Sequence, residues 1–296
     1  MRSDKYFAYI MIFPAVISIL VLSIYPIIQG VRLSFFDYTL ISPNKPFIGL
    51  ENYRAVLSDP RFWKALTNTL YFTLLSVFFS ALLGLIVALI LNANLPWKGF
   101  LRSLTLLPWV IPSIVIAYTW VWMLNKDFSP FNQILLALHL IDKPISFLGD
   151  LNIGIGPLTF PFISVLVVRI WTSYTFKAIN FLAALQAIPE ELYEAAVIDG
   201  ANSWQKFRYI TLPSLIPVGT VVITLSLIWN ISHFDYNYLM TKGGPSDATN
   251  VLGTFIYQTA FSTFRLGYAS AIGVLMLFVC CIFGIIYMSL VLRETL

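Results

Sequence analysis

Hydrophobic positions in this chain fall in long unbroken runs, and charged positions are confined to the gaps between them. Crossing the hydrocarbon core as a helix takes about 20 consecutive apolar residues. Six stretches reach that length: Tyr6–Gln29, Thr67–Asn92, Ser103–Leu124, Leu158–Leu182, Ser214–Met240 and Tyr268–Leu292. The pattern predicts an all-α membrane protein with six transmembrane helices. The first stretch is too long for a signal peptide, contains Pro14 and Pro26, and is followed by no small-x-small cleavage site, so it reads as a retained helix. Pro108 and Pro112 predict a kink in the third span rather than a binding element.

The gaps differ in kind. Val31–Leu66, Asn125–Pro157 and Thr241–Gly267 are each too short for a separate domain. The first carries a predicted amphipathic helix ending near Phe62-Trp63. These connections read either as interfacial caps or as surfaces that touch a partner. The gap after the fourth span is more informative. From Glu190 to Pro213 it reads EELYEAAVIDGANSWQKFRYITLP and holds four of the chain's fourteen acidic residues. Two short helical patterns are separated by a turn. Pro189 suits the first helical position, where its missing N–H costs nothing. Glu190 and Glu191 fall in the first turn, where the helix dipole favours negative charge. Gly200 is a helix stop. Ser203 caps a second short helix, Trp204 to Tyr209, and Pro213 marks the start of the next long one. Ala195 and Ala196 leave a low-relief face that another protein can approach. The plainer reading is an amphipathic connector lying on the membrane.

Composition narrows the class. Of 296 residues 58% are hydrophobic and 11% charged, against about 25% charged in soluble domains. The net charge of +4 carries no basic cluster and gives no reason to expect nucleic acid as a partner. Cys280 and Cys281 are adjacent in an apolar run and form no disulfide framework. The histidines and carboxylates show no metal-ligand spacing. No G-x-x-x-x-G-K-[ST] phosphate loop occurs, and nothing suggests a catalytic residue. Lys and Arg bias orientation only weakly: seven lie in the stretches that are inside when the amino terminus is inside, against nine outside over nearly twice the length.

Polar groups within spans are expensive and mark functional candidates. The fourth span carries Arg169, Trp171, Ser173, Phe176 and Lys177. The fifth carries Ser226, Asn230 and His233, spaced four and three apart and so expected on one helical face, then Asp235. Hydrogen-bonding groups beside aromatic rings suit a sugar. Arg169 reads either as a solute contact or as the ion-pair partner of Asp235. Ser226 and Asn230 read either as solute contacts or as interhelical hydrogen-bonding groups.

The polar island resembles the EAA loop of ABC-importer permeases: Glu194-Ala195-Ala196, three residues, Gly200, nine residues, Ile210, one residue, Leu212-Pro213. Further patches resemble sugar-type permeases of the maltose-transporter kind, on the side of the larger maltose permease. These are Phe35-Phe36-Asp37-Tyr38, Gly49-Leu50-Glu51-Asn52-Tyr53, Leu107-Pro108-Trp109-Val110-Ile111-Pro112, Leu185-Gln186-Ala187-Ile188-Pro189 and Thr241-Lys242-Gly243-Gly244-Pro245. The resemblance covers residues 7–292 and is to the six-span core alone. It implies a single type I ABC importer transmembrane domain over 1–296, with its core at 67–292, an external loop at 31–66, a cytoplasmic coupling loop at 185–213 and both termini cytoplasmic. Glu194, Ala195, Ala196, Asp199 and Gly200 would contact an ATPase subunit. Arg169, Trp171, Ser173, Phe176, Ser226, Asn230 and His233 would face the solute. The implied partners are a homologous second permease, two ATPase subunits that hold the ATP and Mg, an extracytoplasmic solute-binding protein and membrane lipid, in the cytoplasmic membrane of a bacterium or archaeon. Arg169 and His233 stand where the maltose permease has asparagines, which disfavours maltose itself and leaves an acidic sugar or a glycerophosphate-like solute open. A secondary transporter working alone is the competing class, and the island argues against it.

Overall fold

A computed structural model describes residues 2–42, 44–93, 95–152 and 154–294. They form two compact units. One holds the described residues up to Trp63 with Phe255–Val279. The other holds Lys64–Thr254 with the described residues from Cys280 onward.

In the first unit α1 (Arg2–Ile19) passes through a π-turn, Leu20–Ile24, into α2 (Tyr25–Leu33). Pro26 has no N–H for the ladder and its ring crowds the carbonyl four residues back, so a wider turn just before it relieves the helix. The stretch Met11–Leu33 is predominantly apolar, and none of its residues is buried. The chain then folds back on itself. Phe36 and Phe47 pair as an antiparallel bridge. The buried Asn52 Nδ2 donates to the carbonyls of Ser34 (2.9 Å) and Phe36 (3.0 Å), and Tyr53 Oη and Ser34 Oγ lie 2.6 Å apart. Asn52 and Tyr53 sit on α3 (Glu51–Ser58). This helix stops at Ser58, short of the predicted Phe62-Trp63. Asp59 is extended, Pro60 opens the next helix, and Asp59 Oδ1 accepts from Arg61 N–H at 2.8 Å.

The second unit begins within α4 (Pro60–Asn92), 33 residues or roughly 50 Å of helix. The predicted third span is not a kinked helix. It is α5 (Lys98–Val110) and α6 (Ser113–Met123), meeting at 92°. Pro112 forces the residue before it out of the helical region, and Ile111 is extended at φ −71°, ψ 131°. After α7 (Pro130–Ala137) and a two-residue hairpin of β1 (Gly154–Ile155) and β2 (Leu158–Thr159), α8 (Phe160–Gln186) forms the fourth span. The polar island forms α9 (Glu190–Ile198) and α10 (Ser203–Lys206). A π-turn, Phe207–Thr211, continues α10 directly into α11 (Leu212–Ser232). Pro213 is the second residue of α11, where its missing N–H is tolerated, and the π-turn joins α10 to that start without a break. Then follow α12 (Asp235–Thr241), α13 (Leu252–Tyr257), a π-turn at Gln258–Ser262 and α14 (Leu266–Glu294). Among the described residues, five helices can cross a membrane by length and composition, or six when the bent α5–α6 pair is one span.

Helix α8 is the hub of the second unit, packing on α5, α11 and α12. Helices in a bilayer gain little from burying apolar surface against one another, so close approach and polar contacts matter more. One face of α4 shows this: Ser76, Ser80, Gly84 and Ala88, four residues apart, are all buried. A Cβ on Gly84 would lie 2.8 Å from Lys177 Cβ and 3.0 Å from the Ala178 nitrogen. Backbone must therefore move to admit a side chain. At the wide end of the same interface Phe72 meets Phe162 edge-on at 5.7 Å.

Gly84→Val is expected to lower stability by about 1–3 kcal/mol, the usual cost of overpacking. Gly273→Ala, where an added Cβ meets nothing within 4 Å, is expected to leave it unchanged. Thermal melts of the detergent-purified variants decide the point, and equal melting of the two proteins would refute the close α4–α8 crossing.

Candidate functional site

The polar island is exposed and internally braced. Leu192 N–H reaches back to the Pro189 carbonyl at 3.3 Å, and Pro189 is extended, so it caps α9 rather than filling its first turn. At the other end the helix closes by a double bond set. Gly200 N–H donates to Val197 O (3.0 Å) and Ala201 N–H to Ala196 O (2.8 Å), the Schellman arrangement that leaves one residue left-handed. That residue is Gly200, at φ +77°. The cap of α10 is Asn202, not Ser203. Its Oδ1 accepts from Gln205 N–H at 2.9 Å while Gln205 Oε1 accepts from Asn202 N–H at 2.8 Å. A carboxamide one residue before the serine offers the same acceptor with a reciprocal partner three residues on. Tyr193 Oη and Thr211 Oγ1, 2.9 Å apart, fasten α9 to the π-turn. Glu194, Ala195, Asp199 and Gly200 are exposed and Ala196 is half-buried. Ile198, 86% exposed, and Trp204, 68% exposed, add apolar surface beside the carboxylates.

The second candidate region lies between α4, α8 and α11. Its centre is the side chain of Asn230, 3% exposed. Its Oδ1 accepts from Arg169 Nε at 2.8 Å and from Ser76 Oγ at 3.2 Å. Its Nδ2 donates to the Ser226 carbonyl one turn back, at 2.7 Å. Ser226 Oγ donates to Val222 O at 2.7 Å. Of the two readings of Asn230, the structure displays interhelical hydrogen bonding. Nor is Asp235 the hydrogen-bond partner of Arg169; Asp235 Oδ2 accepts from Ser113 Oγ at 3.5 Å.

His233 departs furthest from expectation. Helix α11 ends at Ser232, and His233 is extended at φ −84°, ψ 127°. It is thus off the face that Ser226 and Asn230 share, and α12 starts a new direction at Asp235. Its Nε2 is buried without a hydrogen-bond partner, and so is Ser173 Oγ. Aromatic rings flank the region: Phe176 lies 5.2 Å from Trp229, and Trp171 meets Trp120 edge-on at 5.9 Å. Sequence reasoning missed Ser76. The visible signal was its four-residue spacing from Ser80 inside an apolar run.

Residues 80–295 match the family described as binding-protein-dependent transport system inner membrane component. The chain is similar to the trehalose/maltose transport system permease protein MalF of Thermococcus litoralis, 38% identical over 284 residues, covering 95% of this chain and 92% of the relative. A solved bacterial ABC transporter, involved in the import of the acidic polysaccharide alginate, has a chain that superposes with TM-score 0.84 at 25% identity over 99% of this chain and 98% of that one. The alginate transporter in complex with an alginate pentasaccharide-bound periplasmic protein superposes with TM-score 0.81 at 25% identity, covering 96% and 93% of the two chains. With its type I importer fold and its membrane-spanning helices, the chain belongs to the binding-protein-dependent transport system inner membrane component family.

Proposed function

We propose that this chain is one transmembrane half of an ATP-driven importer that moves a carbohydrate across the cytoplasmic membrane. The observation that carries the reading is the braced polar island between two membrane-spanning helices. A transporter working alone gains nothing from an exposed acidic and apolar helix held by a Schellman stop, a capping box and a side-chain tie. A chain that must receive force from another protein does. In this reading α9 docks on an ATPase subunit through Glu194, Ala195, Ala196 and Asp199, and Gly200 sets the angle at which it is presented. That placement puts both termini in the cytoplasm. The energy source, ATP with Mg, belongs to two partner ATPase subunits. A homologous second permease completes the pathway, and an extracytoplasmic binding protein delivers the solute, a reading supported by the alginate transporter's complex with a pentasaccharide-bound periplasmic protein. The carbohydrate assignment draws on the trehalose/maltose and alginate transporters that the chain resembles. The solute passes beside α8 and α11, near Arg169, Trp171, Ser173, Phe176, Ser226, Asn230 and His233.

Gly200→Val tests the coupling role. A β-branched residue is strained in the left-handed region, while nothing lies within 4 Å of an added Cβ, so the effect is confined to the turn. The expected result is ATP-driven uptake reduced at least tenfold in proteoliposomes, with the isolated chain still folding and melting as a single species. Wild-type uptake by Gly200→Val would remove α9 from the coupling path.

Asn230→Ala tests the pathway's framework. It strands Arg169 Nε and Ser76 Oγ, a penalty of about 1–3 kcal/mol for each buried group left unpaired. Ser76→Ala leaves Arg169 bonded to Asn230 and should cost less. A lower melting temperature and slower uptake for Asn230→Ala than for Ser76→Ala are the expected pair of results. Identical behaviour of the two would show that the three-helix node does not hold the pathway.

A further inference from the structure

Helix α8 carries two cations far from either of its ends. Arg169 lies nine residues after Phe160 and Lys177 nine before Gln186, so each is roughly 13 Å along the axis from the nearer end. Ser173 lies midway, four residues from both, and the three stack along one side of the helix. Lys177 is 1% exposed. Burying one such charge in a membrane span costs at least about 2.5–3.5 kcal/mol, and such groups face the bundle interior or a cavity, paired with an opposite charge or with backbone carbonyls.

Here the match of opposite charge is partial: Asp235 attracts Arg169 without hydrogen-bonding to it. No acidic residue occurs between Asp59 and Asp127, between Asp150 and Glu190, or between Asp199 and Asp235. Helices α4, α5, α6, α8 and α11 therefore contain no carboxylate. The nearest acid in sequence to the pathway is Asp235, at the start of α12, and it accepts from Ser113 Oγ. The hydrogen bonds that the two cations make are to neutral acceptors. Arg169 Nε donates to the Asn230 amide, and Lys177 Nζ makes a long 3.5 Å contact with the Ser173 carbonyl. Even with Asp235 counted against them, two cations face one carboxylate. Beside them two buried polar atoms, Ser173 Oγ and His233 Nε2, have no partner. A hydroxyl between two cations, with an imidazole edge nearby, is a set of groups suited to an oxyanion.

We infer that the transported carbohydrate is anionic, bearing a carboxylate, sulfonate or phosphate that Arg169 engages and Lys177 receives further along α8, with Ser173 bridging the step. The inference rests on the carbohydrate-importer reading and names the class of solute for that site. A neutral sugar would leave the surplus positive charge uncompensated throughout its passage. An anionic one neutralises it while the solute is in the membrane.

The complete transporter, with its ATPase and binding protein, is reconstituted in proteoliposomes and offered labelled solutes of four kinds. These are a neutral disaccharide, a uronic-acid disaccharide, a sulfonated sugar glycoside and a sugar phosphate. The expected result is ATP-driven uptake of at least one anionic class at ten or more times the neutral rate, and the class that wins identifies the oxyanion. Arg169→Gln and Lys177→Gln should each cut that uptake about tenfold or more, as loss of a charged hydrogen bond does. Arg169→Lys, which keeps the charge but not the planar fork, should fall between. Co-purification of the partner subunits checks assembly. Lys177→Gln carries the test if Arg169→Gln fails that check, because Lys177 Nζ bonds to a backbone carbonyl rather than to another side chain. Uptake confined to neutral sugars would overturn the inference while leaving the importer reading intact. Anionic uptake that survives both Gln substitutions would overturn it too. Failure to move any carbohydrate, by an assembled complex with working ATPase, would instead defeat the carbohydrate reading and this inference with it.

Discussion

One carboxamide oxygen, Asn230 Oδ1, joins three helices. It receives Arg169 Nε from α8 and Ser76 Oγ from α4 while its own amide nitrogen is tied to α11. In water such bonds would be worth little net, because solvent competes for each partner. In a span the competitor is hydrocarbon, and the groups must find one another or remain unpaired. The other features of the second unit are consistent with this demand. The small face of α4 lets α8 come within reach, Gly84 removes the last obstacle, and Thr175 Oγ1 adds a link from α8 to the Thr105 carbonyl of α5 at 2.9 Å.

Hydropathy made the long helices legible, since membrane thickness sets their length. It could not show where they break, because breaks are set by single residues with special backbone demands. The third span reads as one apolar run, yet Pro112 turns it through 92°. The fifth run extends to Met240, yet His233 is extended and ends α11. Apolar content is unchanged across the first break, so no window average detects it, and the polar residues around His233 do not say which of them ends the helix. Pro213 does stand at the start of α11, but it does not interrupt the helical path. A π-turn of five residues lets the helix continue through it. The cap of α10 was misplaced by one residue for a related reason. Ser203 and Asn202 are both good caps, and the reciprocal bond with Gln205 chooses between them.

The candidate sites were legible to different degrees. The island's boundaries, its two short helices and its glycine stop follow from charge pattern and turn chemistry, which are local. The interhelical node is not local. Arg169 and Asn230 stood out as polar groups in spans, but a choice between Asp235 and Asn230 as the partner of Arg169 depends on where α11 ends. Once His233 breaks that helix, Asp235 belongs to α12 and bonds to Ser113, and Asn230 remains to meet the guanidinium.

The same break explains how one helix can serve both regions. From Ser203 to Ser232 the chain is helical throughout, with the island's capping box at its start and Asn230 two residues before its end. That spans roughly 40 Å of axis. The Tyr193–Thr211 contact binds α9 to the base of this rod, so α9, α10 and α11 are linked by hydrogen bonds rather than by a slack loop. In the proposed reading, displacement of the island by a partner would travel along α11 to the amide that bonds to both α4 and α8. A free hinge between Ile198 and Leu212 would dissipate it. The chain places a left-handed glycine and a reciprocal cap there, where flexible loop residues would otherwise be expected, and this is the physical reason to regard the island as a lever.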